Sequence, residues 1–519
     1  MLLGMSERRV FLLGFVLALG LYLCTASGLV TWAHFGEDGP ELEGAARTLG
    51  IAHPPGYPLF TLLAHVLGLL VPTPVSSINL LTLLAAAVAV GGTGVLTARV
   101  MRRAGEGGVW PGALAALCFL SVSPTWWSQA SIGEVYTLHM ALITLGFALL
   151  VSREPRDLLL AAYVFGLGLA HHPLTLPALL VALAYVILRR RRIGPEHLIL
   201  LLAPLCLYGA LLIRSRLDPA FDWGDPRGPA RLWWVMSGAQ YHQNLFREGW
   251  NAVLGTWIHA LRTTPVHQLG WIGTGLVVAG AFRLMKAARP ELVALTLLYV
   301  GSCFVGSAYD IPDPTAYFLP AVLSLVVLAG VGFGQFWRWC SRVSLPQARK
   351  AVLAAGCGAV AASLFVLGKE GAANALQARD PNAFEYAVGG AQALEKNAVV
   401  LSRGDGRTFS LWYGTTVLRS RPDVVVVYES MLDWPWYRDY LAARFPDLLL
   451  PPHAPEAMRR FLFIAANLDR HPVYVTEVPP DLARFDMAPA GPLYRVLGLP
   501  TARASNETRG RGRLPTPMR

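Results

Sequence analysis

Charge is what this sequence has least of. Of its 519 residues only 15% are Asp, Glu, Lys or Arg, against roughly a quarter in a soluble chain of that length. Such a shortage excludes an ordinary water-soluble globular protein. Cysteine is scarce as well. The six present (Cys24, Cys118, Cys206, Cys303, Cys340 and Cys357) all lie in or beside apolar stretches. With no CxxC pair and no cysteine after Cys357, a disulfide framework and a thiolate metal centre are both excluded, and the six read as small core hydrophobes. Also missing is any basic stripe with interleaved aromatics, so the net charge of +11 is no signature of nucleic-acid binding.

Long apolar runs stand in place of charge. Eleven are expected to cross a bilayer, whose hydrocarbon core needs about 20 residues of helix. They are Val10–Trp32, Ile78–Val100, Trp110–Trp126, Val135–Val151, Leu158–Ala170, Leu174–Leu188, Leu198–Ile213, Leu269–Phe282, Leu292–Val305, Tyr317–Phe336 and Ala351–Leu367. The first is too long for a signal-peptide core and reads as a retained helix. Arginines gather at alternate loops: Arg8 and Arg9, then Arg99, Arg102 and Arg103, Arg153 and Arg156, Arg189 to Arg192, Arg283 with Lys286 and Arg289, and Arg338 to Lys350. Placing those loops in the cytoplasm obeys the positive-inside rule, with Arg47 the exception. An odd number of crossings then puts the N-terminus in the cytoplasm and the C-terminus outside it, the membrane being the inner membrane in a bacterium. Tyr57–Val71 is apolar too, but a crossing there would invert every later arginine cluster. It therefore reads as an interfacial or re-entrant helix within a long first outer loop, 33–77.

The fold expected is a polytopic α-helical membrane domain over 1–368, with outer loops 33–77 and 214–266. An extracytoplasmic α/β domain follows over 369–500, then a disordered tail over 501–519, rich in Arg, Gly, Ser and Pro. In the α/β region, Ala398–Ser402, Asp423–Tyr428 and Val473–Val478 alternate with helical patterns at Thr408–Leu418 and Glu456–Asn467.

Side chains with chemistry concentrate at the expected outer ends. Glu37-Asp38-Gly39-Pro40-Glu41-Leu42-Glu43 packs four carboxylates into seven residues. One reading is a capping box, with Asp38 as N-cap and Glu41 its partner; the other is a general base facing a cavity at the membrane surface. His53-Pro54-Pro55-Gly56-Tyr57-Pro58 has a backbone restricted by three prolines, which would hold His53 and Tyr57 ready to donate to a phosphate or simply build a rigid turn. Trp126 and Trp127 suit an interfacial belt, while Glu134 is a carboxylate at a costly depth. His171 and His172 sit at a turn, where adjacent side chains diverge and metal binding is weakly signalled. Arg214 could pair with a lipid phosphate. Asp225, in Phe221-Asp222-Trp223-Gly224-Asp225-Pro226, and Asp310 and Asp313, in Tyr309-Asp310-Ile311-Pro312-Asp313-Pro314, complete the set. A binding cleft or active site should open on this face. A divalent metal is compatible with these residues, but nothing in the sequence requires one, and no metal ligand set is assigned.

Asp38-Gly39-Pro40-Glu41-Leu42 followed by Leu49-Gly50-Ile51-Ala52-His53-Pro54-Pro55-Gly56-Tyr57-Pro58-Leu59-Phe60 closely resembles the hallmark of the transmembrane protein 260 family. Trp127-Ser128-Gln129, Glu134-Val135-Tyr136, Trp223-Gly224-Asp225-Pro226, Ile311-Pro312-Asp313, Tyr317-Phe318-Leu319-Pro320 and Arg421-Pro422-Asp423-Val424 fit as well. Gly39-Pro40 departs from the Ser-Gly more usual before the Glu. The resemblance implies a GT-C-like membrane glycosyltransferase, of the O-mannosyltransferase kind. It would move a sugar from a polyprenyl-phosphate donor to a hydroxyl of an extracytoplasmic protein, lipid or glycan, with inversion. Asp38 would be the catalytic base and Glu41 its neighbour, with His53, Tyr57 and Arg214 about the phosphate. A transporter or flippase of a lipid-linked substrate is the alternative; it predicts broken helices with charges near the midplane.

Overall fold

The computed structural model describes residues 6–105, 107–312, 314–419 and 421–499. Asp313 and the expected tail 501–519 lie outside them. The chain divides into two compact units, between Pro381 and Asn382.

The first unit is all helical. It begins with α1 (Glu7–Leu23), capped by the Ser6 hydroxyl, which accepts from Arg9 N–H. Then come α2 (Gly39–Thr48), α3 (Pro58–Gly68), α4 (Ser77–Arg103), α5 (Val109–Val122), α6 (Pro124–Ala130), α7 (Tyr136–Val151), α8 (Pro155–His171) and α9 (Thr175–Leu188). The rest of the unit holds α10 (Pro195–Leu202), α11 (Tyr208–Ser215), α12 (Pro229–Met236), α13 (Trp250–Ala287), α14 (Arg289–Ala308), α15 (Leu319–Ser341) and α16 (Pro346–Ala375). Among the described residues, five helical segments are long and apolar enough to cross a membrane. They are Ser77–Arg103, Pro195–Ser215, Arg289–Ala308, Thr315–Ser341 and the one beginning at Pro346; α5 and α6 together make a sixth if that bent pair is one span. α3, α7 and α9 are shorter apolar helices.

Two expected spans change shape. Trp110–Trp126 is not one helix, because α6 departs from α5 at 65°. The cause is Pro124: a proline disfavours helical geometry in the residue before it, and Ser123 sits at φ −60°, ψ 127°. The bend carries Trp126 and Trp127 inward, where their indole N–H groups donate to Tyr22 Oη (2.9 Å) and Thr25 Oγ1 (2.8 Å). Both are buried anchors, not the interfacial belt that their position suggested. Likewise the expected loop 214–266 is helical from Trp250 onward, where α13 starts; the helix breaks at Gly270 (φ 67°, ψ 178°) before completing the expected span.

Small residues let the helices approach closely, as membrane packing demands. A Cβ on Gly280 of α13 would lie 2.0 Å from Leu328 O of α15, and one on Gly332 of α15 would lie 2.0 Å from Leu276 O. At one end of the bundle the arginines close the ends of helices. Arg99 and Arg102 pair with Glu7, Arg103 donates to Val151 O and Ser152 O, and Arg191 to Leu150 O and Ser152 O. The opposite end carries α2, α3, α6 and the long loops.

In the second unit, Val-rich segments form the parallel core of a five-stranded sheet of order β2-β1-β3-β5-β4. β1 (Val399–Ser402) runs parallel to β2 (Val425–Tyr428) and β3 (Val473–Val475). An antiparallel hairpin, β4 (Asp486–Ala490) and β5 (Leu493–Gly498), extends the sheet beyond β3. β1 and β3 are buried along their whole length, as parallel strands with covered faces must be. A helix runs over Glu456–Asn467 with Pro455 at its N-cap, where the pattern placed it.

Candidate active site

α2 begins at Gly39-Pro40, the proline occupying the first turn, where its missing N–H costs nothing. The chain enters this helix through a strained turn, His34 and Phe35 both lying at positive φ (54° and 59°). Asp38 is at the N-cap, yet its side chain caps nothing. Glu41 is fully buried and reaches across to His53: Oε1 accepts the His53 backbone N–H (2.8 Å) and Oε2 lies 3.0 Å from Nδ1. The capping-box reading therefore fails, since both acids are turned to the histidine.

Nδ1 of His53 faces Glu41, and Nε2 faces two further groups, Asp38 Oδ2 at 3.6 Å and Tyr57 Oη at 3.2 Å. The turn that achieves this sets Gly56 at φ 86° and Tyr57 at φ 41°, a left-handed conformation costing a non-glycine residue roughly 1–2 kcal/mol. At Gly56 the packing forbids a side chain too, because a Cβ would sit 2.6 Å from Leu211 Cδ1. Burial opposes charge on His53, but Asp38 and Glu41 outweigh it and raise its pKa to about 10. Asp38 is raised above the ordinary carboxylate range by desolvation, with the His53 charge opposing and Glu41 and Glu37 adding to the rise. An imidazolium thus stands between two carboxylates, one sealed and one, Asp38, with 38% of its side chain exposed.

Aromatic rings enclose the histidine. Tyr57 (5.1 Å between centroids), Trp223 (5.9 Å) and Tyr241 (6.4 Å) all stand near edge-on to it. Behind Tyr57, His172 packs against Tyr57, Tyr136 and His139, and Tyr136 meets Tyr317, which meets Tyr309. His171 also packs against Tyr57 (6.1 Å between centroids), while its Nε2 bonds Val135 O (2.9 Å) at the start of α7 and its ring stacks on Phe60. Glu134 is buried beside this group and adds to the field that keeps His53 protonated.

Other expected site residues do structural work. Arg214 donates to Leu49 O (2.7 Å) and Thr48 O (3.2 Å), closing the C-terminal end of α2. Arg47, the lone exception to the arginine pattern, pairs with Glu43 (2.7 Å) and donates to the carbonyls of Gly68, Val71 and Val75. Asp225 and Asp222 both accept from the Ser215 hydroxyl, and burial, then Asp225, push Asp222 up to about 7. Asp310 lies 3.7 Å from Arg247. In the second unit, Arg421 forks onto Asp423 and the carbonyls of Ala391, Leu394 and Glu395, so the Arg421-Pro422-Asp423 motif ties a turn to a helix end. Among the described residues, no group of three or more His, Cys, Asp or Glu is arranged to hold a metal ion.

Tyr241 and His139 escaped the sequence reading. Neither sits in a motif, and each reaches the site only through folding. Trp223 arrives because Phe221–Trp223 pairs alongside Ile51: Ile51 N–H donates to Phe221 O (2.7 Å) and Trp223 N–H to Ile51 O (3.2 Å). The Phe221 ring fills notches in α2, where a Cβ on Gly44 would lie 2.2 Å from it.

Residues 38–194 match the Protein O-mannosyl-transferase TMEM260 N-terminal domain, and 383–447 match TMEM260-associated domain 2. The mouse protein O-mannosyl-transferase TMEM260 is 27% identical over 462 residues, covering 80% of this chain and 62% of that one. Its Dictyostelium discoideum counterpart is 21% identical over 497 residues, covering 85% and 60%. The chain thus spans about three-fifths of the length of these relatives. Its fold is that of ArnT from Cupriavidus metallidurans, solved bound to undecaprenyl phosphate: TM-score 0.60 and 14% identity, with 93% of this chain and 97% of that one covered. The protein is accordingly a polytopic helical, integral membrane protein.

Proposed function

We propose, from the kinship of this chain with the transmembrane protein 260 family, that it is a membrane glycosyltransferase using a polyprenyl-phosphate-linked sugar. The observation that carries this reading is a part-exposed Asp38 beside His53, which is clamped by the buried Glu41. Asp38 takes the proton of an acceptor hydroxyl, and that oxygen attacks the anomeric carbon. The bond from that carbon to the phosphate oxygen breaks, and its electron pair leaves with the polyprenyl phosphate. One displacement inverts the anomeric centre. The raised pKa of Asp38 suits a base, while His53 N–H and the Tyr57 hydroxyl are the donors for the departing phosphate. Arg214, which donates to the carbonyls of Leu49 and Thr48 through Nε and Nη2, is assigned no role in this step.

Support for the donor class comes from the undecaprenyl phosphate bound by ArnT, and for mannose from the names of the mouse and Dictyostelium relatives. The arginine pattern supports eleven crossings with the N-terminus cytoplasmic and the α2 end of the bundle extracytoplasmic. The unit beginning at Asn382 would then be extracytoplasmic as well, suited to an acceptor protein, lipid or glycan.

The test is sugar transfer by purified full-length protein from a panel of polyprenyl-phosphate sugars, native against Asp38→Asn. Transfer lost in a folded Asp38→Asn variant supports the assignment. Equal transfer by both moves the base elsewhere, and substrate translocation without transfer establishes the transporter instead.

A further inference from the structure

Of the three rings that border His53, Tyr57 and Trp223 are each only 5% exposed, whereas Tyr241 is half-buried. Tyr241 lies in a short 3-10 helix, Ala239–Asn244, that is tied down on both sides. On one side its neighbour Gln240 accepts from the Trp223 indole N–H (3.0 Å), and Trp223 is itself locked to Ile51. On the other side Asp310 N–H donates to Asn244 O (3.0 Å), and Leu245 bridges to Tyr309. His242 closes the turn onto Ser237 O (2.9 Å). An aromatic ring on so restrained a segment, 6.4 Å from the histidine, is a pre-formed wall rather than a mobile flap.

We propose that Tyr241 is the sugar-contacting wall of this site, its half-buried ring packing against the C–H face of the sugar presented to Asp38. This rests on the glycosyltransferase reading for the identity of the ligand. Trp223 and Gln240 are then positioning residues, which touch no substrate and set the angle of the Tyr241 ring. An aromatic ring suits this task because it offers a large apolar surface with little conformational freedom to lose. The contact is made to the sugar alone, so it must vanish from any measurement in which the lipid phosphate carries none.

Binding of polyprenyl-phosphate mannose and of bare polyprenyl phosphate to the full chain, before any acceptor is added, separates these contributions. Tyr241→Ala should weaken the sugar-bearing lipid by about tenfold, the upper range for loss of one aromatic contact, and leave the bare lipid unchanged. Tyr241→Phe, which keeps the ring, should bind both as the native protein does. Trp223→Phe, which loses the bond to Gln240, should show the same selective loss at smaller size. Equal loss for both lipids, no loss, or a native protein that binds the two lipids alike would each overturn the wall. A protein that discriminates through Tyr241 yet transfers nothing would sink the transferase reading and leave the wall standing.

Discussion

Glu41 and Glu43 leave the same short helix two residues apart, both fully buried, and their fates differ. Two residues along a helix is a rotation of some 200°, so the two carboxylates face opposite ways. Glu43 meets Arg47, the hydroxyls of Ser76 and Ser77, and Ile78 N–H, which seals the start of α4 to α2. Its charge is cancelled by a permanent cation. Glu41 meets a histidine whose other nitrogen looks toward Asp38 and Tyr57. Its charge is therefore transmitted to an exposed acid. The same residue type, equally buried, builds a joint on one face of α2 and a site on the other.

Substitutions can break or sharpen that contrast. The largest effect is expected at Asp38, where Asn should lower transfer by about 10²–10⁴, the usual contribution of a positioned base, with thermal unfolding unchanged. Glu43→Ala should do the reverse. Stripping a partner from a buried ion pair costs about 3–5 kcal/mol, so unfolding in detergent should show a large loss of stability. Stability unaltered there, or lost equally on Glu41→Gln, would erase the distinction between the two faces.

The pH dependence follows from the two raised groups. The folded pKa of His53, about 10, lies above its ordinary 6.5. Stabilisation from its pairing is therefore complete below 6.5 and lost as pH rises toward 10. Donor binding should persist through neutral pH and fade at the alkaline end. The acid limb of the transfer rate should lie above the ordinary carboxylate range, because Asp38 is raised. An acid limb at an ordinary carboxylate value would remove Asp38 as base. The smallest effect is expected for Tyr57→Phe, which deletes one hydroxyl from His53 Nε2 and should cost about 0.5–1.5 kcal/mol in transfer, read from kcat/KM.

Much of the architecture is legible in the amino-acid sequence by itself. Apolar runs announce the membrane because a bilayer demands about 20 residues without charge, a local property that a linear reading detects. The acidic run and His53-Pro54-Pro55-Gly56-Tyr57 are visible as clusters because their members are neighbours in sequence. What folding alone decides is which members converge. Asp38 has the position of a cap, but Glu41 holds His53 from twelve residues away and Asp38 turns to the same ring. Arg214 has the position of a free cation, but it closes α2, and the tryptophans of α6 have the position of a belt, but Pro124 turns them inward. Tyr241 carries no sequence signal at all, since its place beside His53 depends on Trp223, and that on a pairing with Ile51. Hydropathy and charge are summed residue by residue and survive in the sequence. The pairing of a buried carboxylate with one of several partners depends on distances between segments far apart in the chain, and only the tertiary structure sets those.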